Sequence, residues 1–209
     1  MEYPVYRQES KNKFNKIIRS MVNVKIQICG GMIPTRAHED DACFDLYAPT
    51  TIALKHGRQI IPLGFKVQVP FQWCAYIRSR SGFASKGLTA YLSCDKSFQH
   101  PVRIDADVIT GIVDSGFRGE VGVILKCGTS IYKTDDEWVR KLVDARSRNM
   151  QTEEKWDGVL VIREGERIAQ MAILPVPDVQ FEEVEELSDS ERGEGGFGSS
   201  NEKAEGGES

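Results

Sequence analysis

QIIPLGFKVQV, residues 59–69, and WCAYIRS, residues 73–79, set the fold class of this chain. Both runs mass or alternate β-branched and aromatic residues, the composition of a strand with at least one buried face, and Pro70 separates them. The same pattern recurs outward in both directions. VKIQI (24–28), EVGVILK (120–126), GVLVIRE (158–164) and RIAQMAIL (167–174) read as strands, with Gly, Pro or Asp at the turn positions between them. Many short strands without interleaved helices predict an all-β fold, a jelly-roll-like antiparallel barrel and not a doubly wound sheet.

One internal stretch departs from this. Thr134 followed by Asp135, Asp136 and Glu137 reads as an N-cap with an acidic first turn, and Trp138, Leu142 and Ala145 follow near helical spacing. The spacing predicts a short inserted helix over 135–148, docked outside the barrel. The ends read as appendages. Residues 1–22 form an N-terminal extension in which Phe14, Ile17, Ile18 and Met21 suit a short amphipathic basic helix. The barrel domain is expected over 23–187 and a flexible C-terminal arm over 188–209. The composition turns acidic from Phe181 and ends in Gly, Ser and Glu, too polar to order itself by burial.

The bulk composition narrows the function. Of 209 residues, 40% are hydrophobic and the net charge is -4, so a single core is affordable and no basic field recommends nucleic acid. Cys29, Cys43, Cys74, Cys94 and Cys127 are odd in number and hold no C-x-x-C pair, which argues against a disulfide framework or a structural zinc site. No apolar run is long enough to span a membrane and no secretory h-region opens the chain. A soluble cytoplasmic protein is expected.

Three segments carry chemistry. Arg80-Ser81-Gly82 closes a strand with a charge, a hydroxyl and a residue that permits close backbone approach; a turn with a surface arginine explains it about as well. In the run from Gly111 to Gly119, apolar residues lead into Asp114, and Phe117 sits in a Gly-punctuated turn. This suits a general base on a hairpin, or a simple solvated turn. Arg192 and Phe197 combine a guanidinium and an aromatic face in a Gly/Ser-rich tail, which otherwise reads as low complexity. Together they outline a nucleoside-phosphate site with neither a Walker A loop nor G-x-G-x-x-G, and phosphoryl chemistry there usually needs a divalent cation.

Taken in order, five motifs resemble those of the trimeric dUTPases, over roughly Val24 to Ser200. They are Pro34 to Tyr47, Arg80 to Ala84, Gly111 to Gly119, Gly165 to Gln170, and Arg192 to Ser200. The resemblance implies hydrolysis of dUTP to dUMP and pyrophosphate with Mg2+, which limits uracil in DNA and supplies dUMP for dTMP synthesis. Asp114 matches the carboxylate that orients the attacking water and holds the 3′-hydroxyl. Phe117 matches the aromatic under the deoxyribose, which excludes a 2′-hydroxyl. The backbone of Gly111, Ile112 and Val113 matches the hairpin that reads uracil, and Gly122 lies near its end. Arg80, Ser81, Gly82 and Gln170 match phosphate contacts, and Asp45 matches the carboxylate that supports the metal through its water shell. Arg192, Phe197, Gly198, Ser199 and Ser200 match the arm that stacks on uracil and holds the phosphates. The family builds each site from three subunits of a homotrimer.

Some positions depart from the family pattern. Cys43 stands where Gly is usual, Phe117 where Tyr is commoner, Gly116 where Asp is usual, and Asn201 where Gly is common. About 90–105 and 129–157 are extra segments, resembling those of phage-type members and read either as surface decoration or as a surface for a regulatory protein partner. Two other activities fit the sequence less well: dCTP deamination on the same fold, and a nucleotide-switched binding module.

Overall fold

A computed structural model describes residues 21–133, 159–190 and 193. The expected helix over 135–148, most of the N-terminal extension, and Arg192, Phe197, Gly198, Ser199 and Ser200 lie outside the described residues. The chain divides into two compact units, Met1–Pro177 and Asp178–Ser209.

The first unit is all-β, as expected. In chain order its strands are β1 (Lys25–Ile28), β2 (Phe44–Tyr47), β3 (Ile52–Ala53), β4 (Gly57–Gln68) and β5 (Trp73–Arg78), then β6 (Leu88–Leu92), β7 (Pro101–Ile109), β8 (Gly111–Val113), β9 (Glu120–Lys133), β10 (Leu160–Ile162) and β11 (Arg167–Pro175). One short helix, α1 (Ser81–Lys86), sits between β5 and β6 and is anchored by the buried Phe83. Seven strands form one sheet in the order β1-β4-β9-β7-β6-β10-β3, and four form a second in the order β2-β11-β5-β8. Neighbouring strands pair antiparallel throughout, as in a jelly roll.

The core follows from strand periodicity. Ile61, Leu63, Phe65 and Val67 of β4 point inward, as do Val102, Ile104, Ala106 and Val108 of β7 and Val121, Val123 and Leu125 of β9. They meet Leu46, Ile168 and Met171 from the smaller sheet in one hydrophobic cluster. Among the described residues no charged side chain is buried.

The segment about 90–105 is corrected by the fold. It is no decoration: β6 and β7 occupy its two ends, and β7 lies inside the larger sheet between β9 and β6. Only 93–100 is loop, closed by the Asp95 carboxylate, which accepts from the backbone amides of Ser97, Gln99 and His100. These contacts and the Ser97 hydroxyl hold the Asp95 carboxyl below its ordinary range, the hydroxyl most of all.

The described part of the second unit, 178–190 with Gly193, contains neither helix nor strand. Phe181 and Leu187 are exposed there, as an acidic composition with few apolar partners dictates. No helix among the described residues is long and apolar enough to cross a membrane.

Candidate active site

The centre of the smaller sheet brings three of the sequence motifs together. Gln170 on β11 stands opposite Asp45 on β2 and, across its other edge, opposite Arg78 on β5. The chain leaves β5 through Ser79 and Arg80, so a residue from each motif converges at one end of the three strands. Arg80 donates through Nε to Asp45 Oδ1 at 2.7 Å, and Arg167 donates to Asp45 Oδ2 at 3.3 Å. The Gln170 side-chain amide donates to the Ser79 carbonyl at 3.0 Å. Asp45 is held in place by the backbone as well, since its amide donates to the Thr35 carbonyl at 2.7 Å.

Asp45, Arg80 and Gln170 line a cavity of about 310 Å³ together with Asp41, Cys43 and Ser81. On the other side of Arg80 a cavity of about 300 Å³ takes in Gly82, Lys86, Arg103, Glu166 and Arg167; with Arg80 that is four cations against one carboxylate, so the ground beside the first cavity is net cationic. Ser81 and Gly82 begin α1, where the first-turn amides have no intrahelical acceptor. A Cβ at Gly82 would meet nothing within 4 Å, which leaves the backbone open to a ligand. A cradle with three arginines, a lysine, a hydroxyl and free amides is suited to a polyphosphate.

Cys43 carries no backbone strain in place of the usual glycine. Gln72 and Phe98 are the non-glycine residues at positive φ among those described, and Cys43 is not one of them.

The hairpin residues make a different cavity, of about 220 Å³, lined by Gly111, Ile112, Val113, Asp114, Phe117 and Gly122 with Ile77, Ile109, Glu120, Val121 and Ile124. β8 pairs with β5 along one edge and is the terminal strand of its sheet, so among the described residues the other edge of Gly111–Val113 has no strand paired to its N–H and C=O groups. The turn after it is closed by the Phe117 amide donating to the Asp114 carbonyl at 3.0 Å. Arg118 braces the turn by donating to the carbonyls of Ser115 and Phe117, at 2.7 and 2.6 Å. Asp114 and Phe117 are both exposed in the single subunit, and Ile112 beside them is 60% exposed.

The structure therefore sorts the expected residues into two groups. Asp45, Arg80, Ser81 and Gln170 share one cavity, with Gly82 on the adjoining one; Gly111, Ile112, Val113, Asp114, Phe117 and Gly122 share another. The phosphate-type cavity and the hairpin cavity have no lining residue in common. Arg167 lies in the fourth motif, but nothing in the sequence marks it as a site residue; its pairing with Asp45 appears only once β2 and β11 are adjacent.

Comparison with known proteins completes this picture. The family model described as dUTPase matches residues 30–105 and 157–201. The deoxyuridine 5'-triphosphate nucleotidohydrolase of Clostridium novyi is 35% identical over 170 residues, which is 80% of this chain and 89% of that protein. The enzyme of the same name from Clostridioides difficile is 31% identical over 183 residues, 86% of this chain and 98% of that one. Among solved structures, a Staphylococcus bacteriophage 80alpha dUTPase variant with dUpNHpp is similar at a TM-score of 0.59 and 26% identity, covering 85% of this chain and 98% of that chain.

Proposed function

The chain belongs to the dUTPase family, and from that membership we propose that it is a dUTP diphosphatase acting by direct attack of water on the α-phosphorus. The observation that carries the reading is the hairpin: the open edge of β8 ends in a carboxylate, Asp114, with the Phe117 ring a turn further on. Unpaired backbone groups at Gly111–Val113 fit the donor–acceptor pattern of uracil. Phe117 packs under the deoxyribose and leaves no room for a 2′-hydroxyl.

The triphosphate lies across the two adjoining cavities that share Arg80, with Arg80, Ser81, Gly82 and Gln170 as its contacts. Asp114 orients a water in line with the α-phosphorus and accepts its proton. The new bond forms from the water oxygen to phosphorus as the bond to the bridging oxygen breaks, and pyrophosphate leaves. The fifth-motif residues Arg192, Phe197, Gly198, Ser199 and Ser200 close over the nucleotide and exclude bulk water.

The donor set suits magnesium held mainly by substrate. Among the described residues no cluster of three or more His, Cys, Asp or Glu side chains could bind a metal alone. A hard cation that keeps its waters and takes phosphate oxygens needs only one or two protein carboxylates. Asp45 lines the cavity, and beyond its two arginine bonds its oxygens retain acceptor capacity for metal-bound water. Magnesium when bound offsets the charge that develops on pyrophosphate.

In the homotrimer that family membership implies, the complete site forms between copies, one supplying the hairpin cavity and another the phosphate wall. The cytoplasm is the expected compartment. A second reading adds to the first. Solved phage 80alpha dUTPases similar to this chain at 27% identity are described as controlling transfer of virulence genes by a G protein-like mechanism. A regulatory protein partner that engages segment 129–157 would extend that behaviour here; its first five residues finish β9, so deletion of 134–157 alone, which spares the β7–β9 ladder, would abolish capture of such a partner.

The deciding experiment is pyrophosphate release from dUTP, UTP, dCTP and dTTP with magnesium present. Strong preference for dUTP is expected, and Asp114→Asn is expected to lower kcat by about a thousandfold. Ammonia release from dCTP, or equal turnover of UTP, would refute the reading.

A further inference from the structure

The long β4–β9 ladder breaks beside the hairpin. Pro62 stands opposite Gly122 and Lys66 opposite Glu120, so Leu63, Gly64 and Phe65 face the single residue Val121. Such a bulge leaves backbone groups without a cross-strand partner. Gly64, buried and at φ +69, is its hub. A Cβ there would lie 2.4 Å from the Gly31 nitrogen, so the close approach of the 29–31 segment requires glycine. The Gly64 carbonyl accepts from the amides of Cys29 and Gly31, at 2.7 and 2.9 Å. Its own N–H has no strand acceptor and donates instead to Glu120 Oε1 at 2.8 Å. Although Lys66 stands opposite Glu120 in the ladder, this carboxylate oxygen turns to the backbone.

Glu120 is also the first residue of β9, immediately after the 114–119 turn, and it lines the hairpin cavity together with Asp114 and Phe117. We infer that Glu120 is a positioning residue: its carboxylate, fixed on the Gly64 amide, sets the point where the turn re-enters the sheet and so aims Phe117 and Asp114. It makes no contact with substrate in this account. Misplacement of a reacting or selecting group by about an ångström is enough to lower the rate by up to a hundredfold. The inference rests on the roles given above to Asp114 and Phe117.

The test uses the full-length protein. Ratios of kcat/KM for dUTP over UTP are measured for wild type, Glu120→Ala and Glu120→Gln, alongside amide hydrogen exchange at Gly64 and Phe117 and the affinity for pyrophosphate. Glu120→Ala is expected to reduce the ratio by roughly tenfold and speed exchange at both amides, with pyrophosphate affinity unchanged. Glu120→Gln keeps an acceptor for the Gly64 N–H and is expected to stay within about twofold of wild type. An unchanged ratio in Glu120→Ala overturns the inference, and so does a Glu120→Gln loss as large as that of alanine, which would mean that the charge itself acts on substrate. Should Glu120→Ala fail to fold, Glu120→Asp, one methylene too short to reach Gly64 from the same backbone position, is judged by the same two criteria. Phe117→Ala and Asp114→Asn separate the levels. If neither changes selectivity or turnover, the underlying reading fails; if both do and Glu120→Ala does not, only the role of Glu120 fails.

Discussion

Asp45 is gripped by Arg80 on one carboxylate oxygen and by Arg167 on the other, at 2.7 and 3.3 Å, so one side chain sets the aim of two cations. Asp45 is 13% exposed and Arg80 27%, so water screens this pair only in part. Asp45→Asn keeps the shape and removes the charge that orients Arg80. We expect kcat/KM for dUTP to fall by about ten- to a hundredfold, with most of the loss in KM. Arg167→Ala should cause a smaller loss, because its bond is longer and its side chain more exposed. Steady-state kinetics check both, and equal kinetics for Asp45→Asn and wild type would remove Asp45 from the phosphate site.

Phe117 rests on Gly119. A Cβ on Gly119 would come within 2.6 Å of the ring Cζ and 3.0 Å of Cε2, far inside contact distance. Gly119→Ala therefore tilts the ring away from its seat. The turn is largely exposed, so stability should change by less than about 1 kcal/mol. Selectivity should suffer more: the preference for dUTP over UTP is expected to narrow by roughly tenfold. Competition between the two nucleotides in one reaction measures this directly.

The sequence made some of this visible and hid the rest, for identifiable reasons. β4, β5 and β11 are legible because their apolar residues lie in dense runs. β7 alternates as cleanly, with Val102, Ile104, Ala106 and Val108 inward, but Arg103, Asp105 and Asp107 fill its outer face and make it look like a polar insertion. α1 has six residues, too few for a helical period to show. The motifs named Asp45, Arg80 and Gln170, yet only the β2-β11-β5 order shows that they meet. Nothing in the order of residues announces that Gly64 needs Glu120, since the two lie 56 positions apart.

Alkaline pH gives a separate handle on the loop at 93–100. Tyr91, 6% exposed, donates to Glu166 Oε1 at 3.1 Å, and its ring meets Phe98 edge-on. Burial first, and then the negative charge of Glu166, raise the Tyr91 pKa above 10.0. The folded state thus favours the protonated phenol. Its contribution is complete below the unfolded pKa and is lost as pH rises through the higher folded value. Tyr91→Phe should cost about 1 kcal/mol near neutral pH through the lost hydrogen bond. The gap to wild type should then close as pH rises above 10.0 and through the raised folded value. Urea unfolding of both proteins at rising alkaline pH tests it, and a gap independent of pH would show that folding leaves the Tyr91 pKa unchanged.

Shared construction of the site between copies can be tested by mixing defects. Asp114→Asn disables the hairpin cavity and Arg80→Ala disables the phosphate cavity, and the two cavities have no lining residue in common. Each variant alone should be nearly inactive. Suppose the two chains are co-expressed in equal amounts and assemble at random into trimers. A site drawing its hairpin from one copy and its phosphate wall from another then receives both intact halves in about a quarter of cases. Activity should recover to about that fraction of wild type. If each subunit instead carried a whole site, every chain would hold one defect and mixing would restore nothing. Tagged copies purified in sequence would isolate the mixed trimers, and their dUTP turnover distinguishes the two arrangements without any need to know the position of the arm.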